Sequence, residues 1–238
     1  MLFLLKYYII FNIIKEGIMV ERIINYISIF LALIIVLPLH EFAHAFAAVK
    51  SGDPTPKING RYTLNPLAHF DAMGLVCFVL AGFGWAKPVP INPYNFRHYK
   101  RGLFWTSSAG VIANYLLAFL AYPLFILSSM LPDVGYFTVV LQLTLFYIFS
   151  LSISFFVFNL IPVFPLDGFR IYDALAKRRG GFYRFLRFQG IYVLYFLLFL
   201  SVIADFTGLW QLDILGIALN FVAGYLKIPI TAFWGLIF

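Results

Sequence analysis

Residues 23–44 read IINYISIFLALIIVLPLHEFAH, and the fold class turns on this stretch. Residues 23–39 hold only Asn25 and Ser28 as clearly polar members. A helix crosses about 30 Å of hydrocarbon with some 20 apolar residues, so this run predicts a spanning helix. The same bias covers the whole chain. Of its 238 residues, 63% are hydrophobic and 11% charged, against roughly 45–50% and about 25% in soluble domains. With 29 Phe and 15 Tyr, the apolar excess is too large for one water-excluded core, and lipid is the expected solvent. No separate soluble domain fits.

Outward from that stretch, glycine, proline and charge punctuate the chain. The first helix continues to residue 50 and stops at Ser51-Gly52-Asp53-Pro54. Residues 57–66 carry Asn59-Gly60, which predicts a small hairpin. Residues 71–86 are apolar but short and glycine-rich, the pattern of a re-entrant or partial span. A polar loop follows over 87–101, then long apolar helices over 103–131 and 136–160. The second runs into Pro162 and Pro165, which must break it. Helical character resumes over 169–176, Lys177, Arg178, Arg179, Arg184 and Arg187 form a basic loop, and 191–203 and 214–225 read as final spans. Residues 1–14 are apolar but short and interrupted by Lys6; no cleavage site follows, so a cleaved signal peptide is not expected, and Met19 is an alternative start. The expected fold is an all-α polytopic membrane protein with five to six transmembrane helices and a short re-entrant or hairpin region after the first.

The net charge of +7 sits in clusters between apolar runs, where membrane topology explains it and nucleic-acid binding is not expected. Basic loops lie on the cytoplasmic side. Loops 87–101 and 177–187 are therefore inside, and the turns at Asp133 and at 205–213 outside. Residues near 40 then lie closer to the cytoplasmic face. A single cysteine, Cys77, excludes an intrachain disulfide.

His40-Glu41-Phe42-Ala43-His44 is an H-E-x-x-H pattern on a predicted helix. Positions i and i+4 share one helix face, so two neutral imidazoles can bind one metal ion with a carboxylate beside it. Such a carboxylate can take a proton from water whose pKa the metal lowers to about 7. With four His among 238 residues, chance produces the pattern about once in a thousand such chains. The bland alternative is a pair of histidines hydrogen-bonded between helices. Glu41 at membrane depth argues against it, because an ionisable group there is costly. A catalytic zinc needs a third protein ligand. Asp167, the only acidic residue between Asp133 and Asp173, lies at a similar depth to His44 and is the leading candidate. His69 and His98 are alternatives by element.

Together with His40-Glu41-Phe42-Ala43-His44, the run Asn159-Leu160-Ile161-Pro162-Val163-Phe164-Pro165-Leu166-Asp167-Gly168 resembles the N-x-x-P-x-x-P-L-D-G signature of the site-2 protease family of intramembrane zinc metalloproteases. Stretches at 52–55, 60–71 and 84–93 are similar to its short bacterial and archaeal members. The resemblance implies that His40, His44 and Asp167 hold Zn2+ and that Glu41 is the general base. It also points to Asn159 and Asn114 as groups near the bound peptide or its oxyanion; interhelical hydrogen bonds are the other use of such residues. Asn114 follows Gly110 in a pattern similar to G-P-x-x-N, with Val111 in place of proline.

The implied function is hydrolysis of peptide bonds within or near the transmembrane segment of membrane-protein substrates, in a prokaryotic cell membrane. The expected organisation is one integral-membrane domain over 1–238, comprising an N-terminal segment 1–22, a catalytic core 23–176 and C-terminal membrane helices 177–238. A non-catalytic scaffold that binds transmembrane helices is the main alternative. A metal or proton transporter is weaker, because it would place charges along several spans.

Overall fold

The computed structural model describes residues 2–74, 86–132 and 134–238, with side chains from residue 19 onward. The described residues form helices α1 (Leu2–Ser51), α2 (Thr55–Ile58), α3 (Pro66–His69), α4 (Tyr99–Ser129), α5 (Tyr136–Asn159), α6 (Asp167–Leu175), α7 (Gly181–Phe188), α8 (Gly190–Thr207) and α9 (Ile214–Trp234). Among them, five stretches are long and apolar enough to cross a membrane: Met19–Ser51 of α1, and the whole of α4, α5, α8 and α9. The protein is an all-α polytopic membrane protein.

Helices α1, α4 and α5 pack mutually, and α9 closes against α4 and α5. Ala32 and Val36 of α1, Ala118 and Ala121 of α4, and Ile148, Phe149, Ile153 and Val157 of α5 form the centre of this bundle. Small residues on α1 and α4 let the backbones approach, which drives packing where lipid tails are as apolar as leucine. Larger apolar side chains such as Leu116, Leu120, Phe196 and Phe221 point outward and are exposed, as a lipid-facing surface requires.

The α5–α6 break follows from its prolines, with the Phe164–Pro165 peptide cis. Gly168 lets α6 begin directly against the end of α5. A Cβ there would lie 2.2 Å from the Leu160 carbonyl oxygen and 2.6 Å from that of Ile161. Asp167 thereby becomes the first residue of α6, and α6 packs on α4.

Two local expectations change, and a third lies mostly outside the described residues. Instead of a hairpin over 57–66, Pro54-Thr55-Pro56 starts the helical turn α2, since proline already holds the helical φ. Gly60, at φ 64°, closes that turn. The basic stretch after α6 is the helix α7, because Tyr183 and Leu186 recur on one face and bury against Phe169, while Arg184 and Arg187 stay exposed. The partial span expected over 71–86 lies, for residues 75–85, outside the described residues. Its flanks meet: Phe70 and Ala86 pair as one antiparallel bridge, and the Lys87 N–H donates to the His69 carbonyl at 2.8 Å.

The turn after α1 is held by Asp53, which is fully buried. It accepts hydrogen bonds from the Thr55 N–H at 3.1 Å, the Thr55 hydroxyl, the Asn95 amide at 2.8 Å and the Asn92 N–H at 2.7 Å. Burial alone would raise its pKa, but these donors outweigh it and hold the carboxyl below the usual carboxylate value. Because the folded pKa is depressed, the stabilisation is complete above the unfolded value of about 3.9 and fades as pH falls through the folded one. Replacing Asp53 with Ala is expected to cost about 3 kcal/mol, since several donors lose a charged acceptor. Thermal unfolding in detergent at pH 7 checks this. The gap between wild type and variant should narrow near pH 3.

Candidate metal centre

His40 and His44 stand one turn apart on α1, and Asp167 is carried to them by α6. The two Nε2 atoms are 3.0 Å apart. Asp167 Oδ2 lies 3.4 Å from His40 Nε2 and 3.1 Å from His44 Nε2. All three residues are buried, and their ligand atoms form a group compact enough for one metal ion. Two imidazole nitrogens and a carboxylate oxygen, with room for a fourth position, are the donors of a catalytic zinc site.

Two neighbours on α4 shape this space. A Cβ at Gly110 would lie 2.3 Å from His44 Nε2 and 2.7 Å from His40 Cε1. Glycine therefore keeps open the gap on which the ligand atoms converge. The Thr106 carbonyl oxygen is 2.7 Å from His44 Nδ1. A carbonyl can only accept, so Nδ1 carries the proton and Nε2 presents a lone pair to the centre.

Behind His40, the fully buried Asn114 places its amide nitrogen 3.0 Å from Nδ1, while its Oδ1 has no partner. The two ends of a carboxamide have nearly the same shape. With the amide turned by half a rotation, Oδ1 accepts from Nδ1–H, and His40 Nε2 is free to ligate. The structure thus sets Asn114 against the back of the imidazole.

Glu41 faces a cavity of about 360 Å³ that His40, His44, Asp167 and Asn159 also line. Glu41 Oε2 accepts from the Val89 N–H at 3.0 Å, so the segment from Ala86 to Ile91 forms one wall. Phe155 and Phe158 of α5 form part of another. Asn159 donates one amide hydrogen to the Phe155 carbonyl at 3.1 Å, which leaves its second N–H uncommitted. Of the alternative ligands, His69 is turned to the Thr63 carbonyl at 2.8 Å, and His98 precedes α4 beside Arg97 and Arg101. Neither joins the cluster.

A relative in Bacillus subtilis (strain 168), named "Putative zinc metalloprotease YwhC", is 38% identical over 148 residues, covering 61% of this chain and 68% of its own. The sequence model of peptidase family M50 matches residues 136–203. The chain belongs to peptidase family M50. No solved structure matches it. The region matched by the M50 model holds Asp167 but not His40 or His44, and packing of α1 and α6 around α4 brings the two parts together.

Sequence reasoning about this M50 peptidase missed Arg170, Thr106 and the space-keeping role of Gly110. Arg170 lines the cavity. Its signal was available, because it follows Asp167 by three residues and so shares its helix face. Thr106 acts through its main chain, and its side chain gives no hint of it.

Proposed function

We propose that this M50 peptidase is an intramembrane zinc metalloprotease of the site-2 type, cutting peptide bonds within or near the transmembrane segment of membrane proteins. One observation carries the reading: His40, His44, Asp167 and Glu41 line a single cavity set into an apolar spanning helix. The relative's name supports zinc as the metal. His40 Nε2, His44 Nε2 and Asp167 would hold the ion. When bound, zinc supplies Lewis acidity to the scissile carbonyl and lowers the pKa of the attacking water.

The remaining steps belong to the chain. The Glu41 carboxylate takes a proton from the attacking water and then delivers it to the leaving amine nitrogen. The Val89 N–H bonded to Oε2 fixes the carboxylate's orientation. The uncommitted N–H of Asn159 is placed to hold a substrate carbonyl oxygen as charge develops on it. A helical substrate keeps its carbonyls in internal hydrogen bonds, so a local stretch must unwind before it can enter. His44 precedes the end of α1 at Ser51 by seven residues, about 10 Å of helix, which gives water a short route. By the positive-inside rule this end of α1 is cytoplasmic.

The test is cleavage of a panel of single-span peptides by the purified, detergent-solubilised chain. Cleavage should stop with a zinc chelator and return when zinc is added back. Wild-type protein that carries no metal and binds none would overturn the reading.

A further inference from the structure

On the face of α1 turned away from the catalytic cavity, α1 and α4 border a second, open cleft of about 680 Å³. Its walls are almost wholly carbon, from Leu39, Phe42 and Phe46 on one side to Ile112 and Leu116 on the other. It follows α1 from Leu39 to Lys50, about 17 Å at 1.5 Å per residue. No residue lines both this cleft and the catalytic cavity.

At the end where α1 stops and α4 starts, the cleft runs into a cavity of about 300 Å³. The two share Lys50, Ser51 and Trp105 as walls. The smaller cavity adds Arg97, His98 and Arg101. Among the described residues, no carboxylate forms an ion pair with Lys50, Arg97 or Arg101. Their positions are set by the backbone: the Arg97 N–H donates to the Ser51 carbonyl at 3.0 Å, and Gly102 packs under Phe96, which a Cβ would meet at 2.6 Å. Trp105, at the junction, has the amphipathic ring that favours the membrane–water boundary.

An occupant that satisfies both parts carries an anion in the basic cavity joined, at Trp105, to an acyl chain along the cleft. We propose that this is a binding site for one anionic phospholipid. Lys50, Arg97 and Arg101 hold its phosphate, and the α1–α4 cleft takes one acyl chain. Basic pockets between membrane helices recognise anionic headgroups in this way. The site is independent of the catalytic centre and of the reaction proposed for it.

The experiment is native mass spectrometry of the full chain released from nanodiscs of equal phosphatidylglycerol and phosphatidylcholine. Wild type should retain one phosphatidylglycerol in preference to phosphatidylcholine. At about fivefold per cation near the surface, the double variant Arg97→Gln/Arg101→Gln should lose roughly thirty-fold in phosphatidylglycerol retention and the preference with it. Ala113→Phe, which fills the cleft, should weaken retention of both lipids. Inorganic phosphate in excess should leave the bound lipid in place. Equal retention of the two lipids by wild type, or retention unchanged in the charge variant, would overturn the site. So would displacement of the lipid by phosphate together with an Ala113→Phe protein that behaves as wild type, the signature of a bare anion pocket. Lys50→Gln replaces the double variant if that protein unfolds at a lower temperature than wild type.

Discussion

Glu41→Gln is expected to reduce peptide cleavage by about 10²–10⁴-fold while the protein keeps its full complement of zinc. The substitution is nearly isosteric, and the amide oxygen of glutamine can still accept from the Val89 N–H that now holds Glu41 at 3.0 Å. The cavity should keep its shape. What disappears is the capacity to take a proton from water and return it to the leaving nitrogen. Initial rates on a single-span peptide, with metal content measured on the same sample, separate the two effects. A scaffold that only binds membrane helices would function equally well with glutamine, so undiminished function would discard the proteolytic role of Glu41.

Gly110→Ala is expected to cost at least about 100-fold in zinc affinity, and activity with it. The added Cβ would fall 2.3 Å from His44 Nε2, in the gap between the two imidazoles. Substitutions that merely disturb the groups supporting a ligand cost 10–100-fold in metal affinity, and this one displaces the ligands themselves. Alanine is otherwise the better residue in a helix, by nearly 1 kcal/mol. That gain is offset by the contact with two buried imidazoles, which is present without the ion. Metal-free protein should therefore still fold but melt near or below the wild-type temperature, while the loaded protein fails to form. Titration against a chromophoric chelator reads the affinity. Wild-type affinity in the variant would show that the cradle does not define the ion's place.

The spanning helices were legible because hydrocarbon imposes one requirement, a long apolar run. Their ends were less so. The last helix continues to Trp234, with Pro229 inside it, well past the expected end at residue 225. Lys227 remains in the helix by laying its stem along the bundle, its ammonium 5.9 Å from the centre of the Phe149 ring. In α7 the arginines dominated the reading, and two buried residues decided the structure. At the site, the histidine pair follows from helical periodicity, but the place of Asp167 depends on α6 packing against α4, which no local spacing encodes. Asn114 carries two expectations, a group near the peptide or a hydrogen bond between helices, and its contact with the back of His40 depends on how α1 and α4 pack, which the sequence does not display. Gly110 matters through the side chain it lacks, and a sequence shows only what is present.

The contact between His44 Nδ1 and the Thr106 carbonyl has a consequence for how the centre withstands mutation. Its acceptor is peptide backbone, so no substitution at position 106 removes it while α4 stays helical. His40 leans instead on the side chain of Asn114, which a single codon change can delete. The two imidazoles, chemically alike, are thus unequally protected. A residue-by-residue alanine survey would find the support of one and remain blind to that of the other.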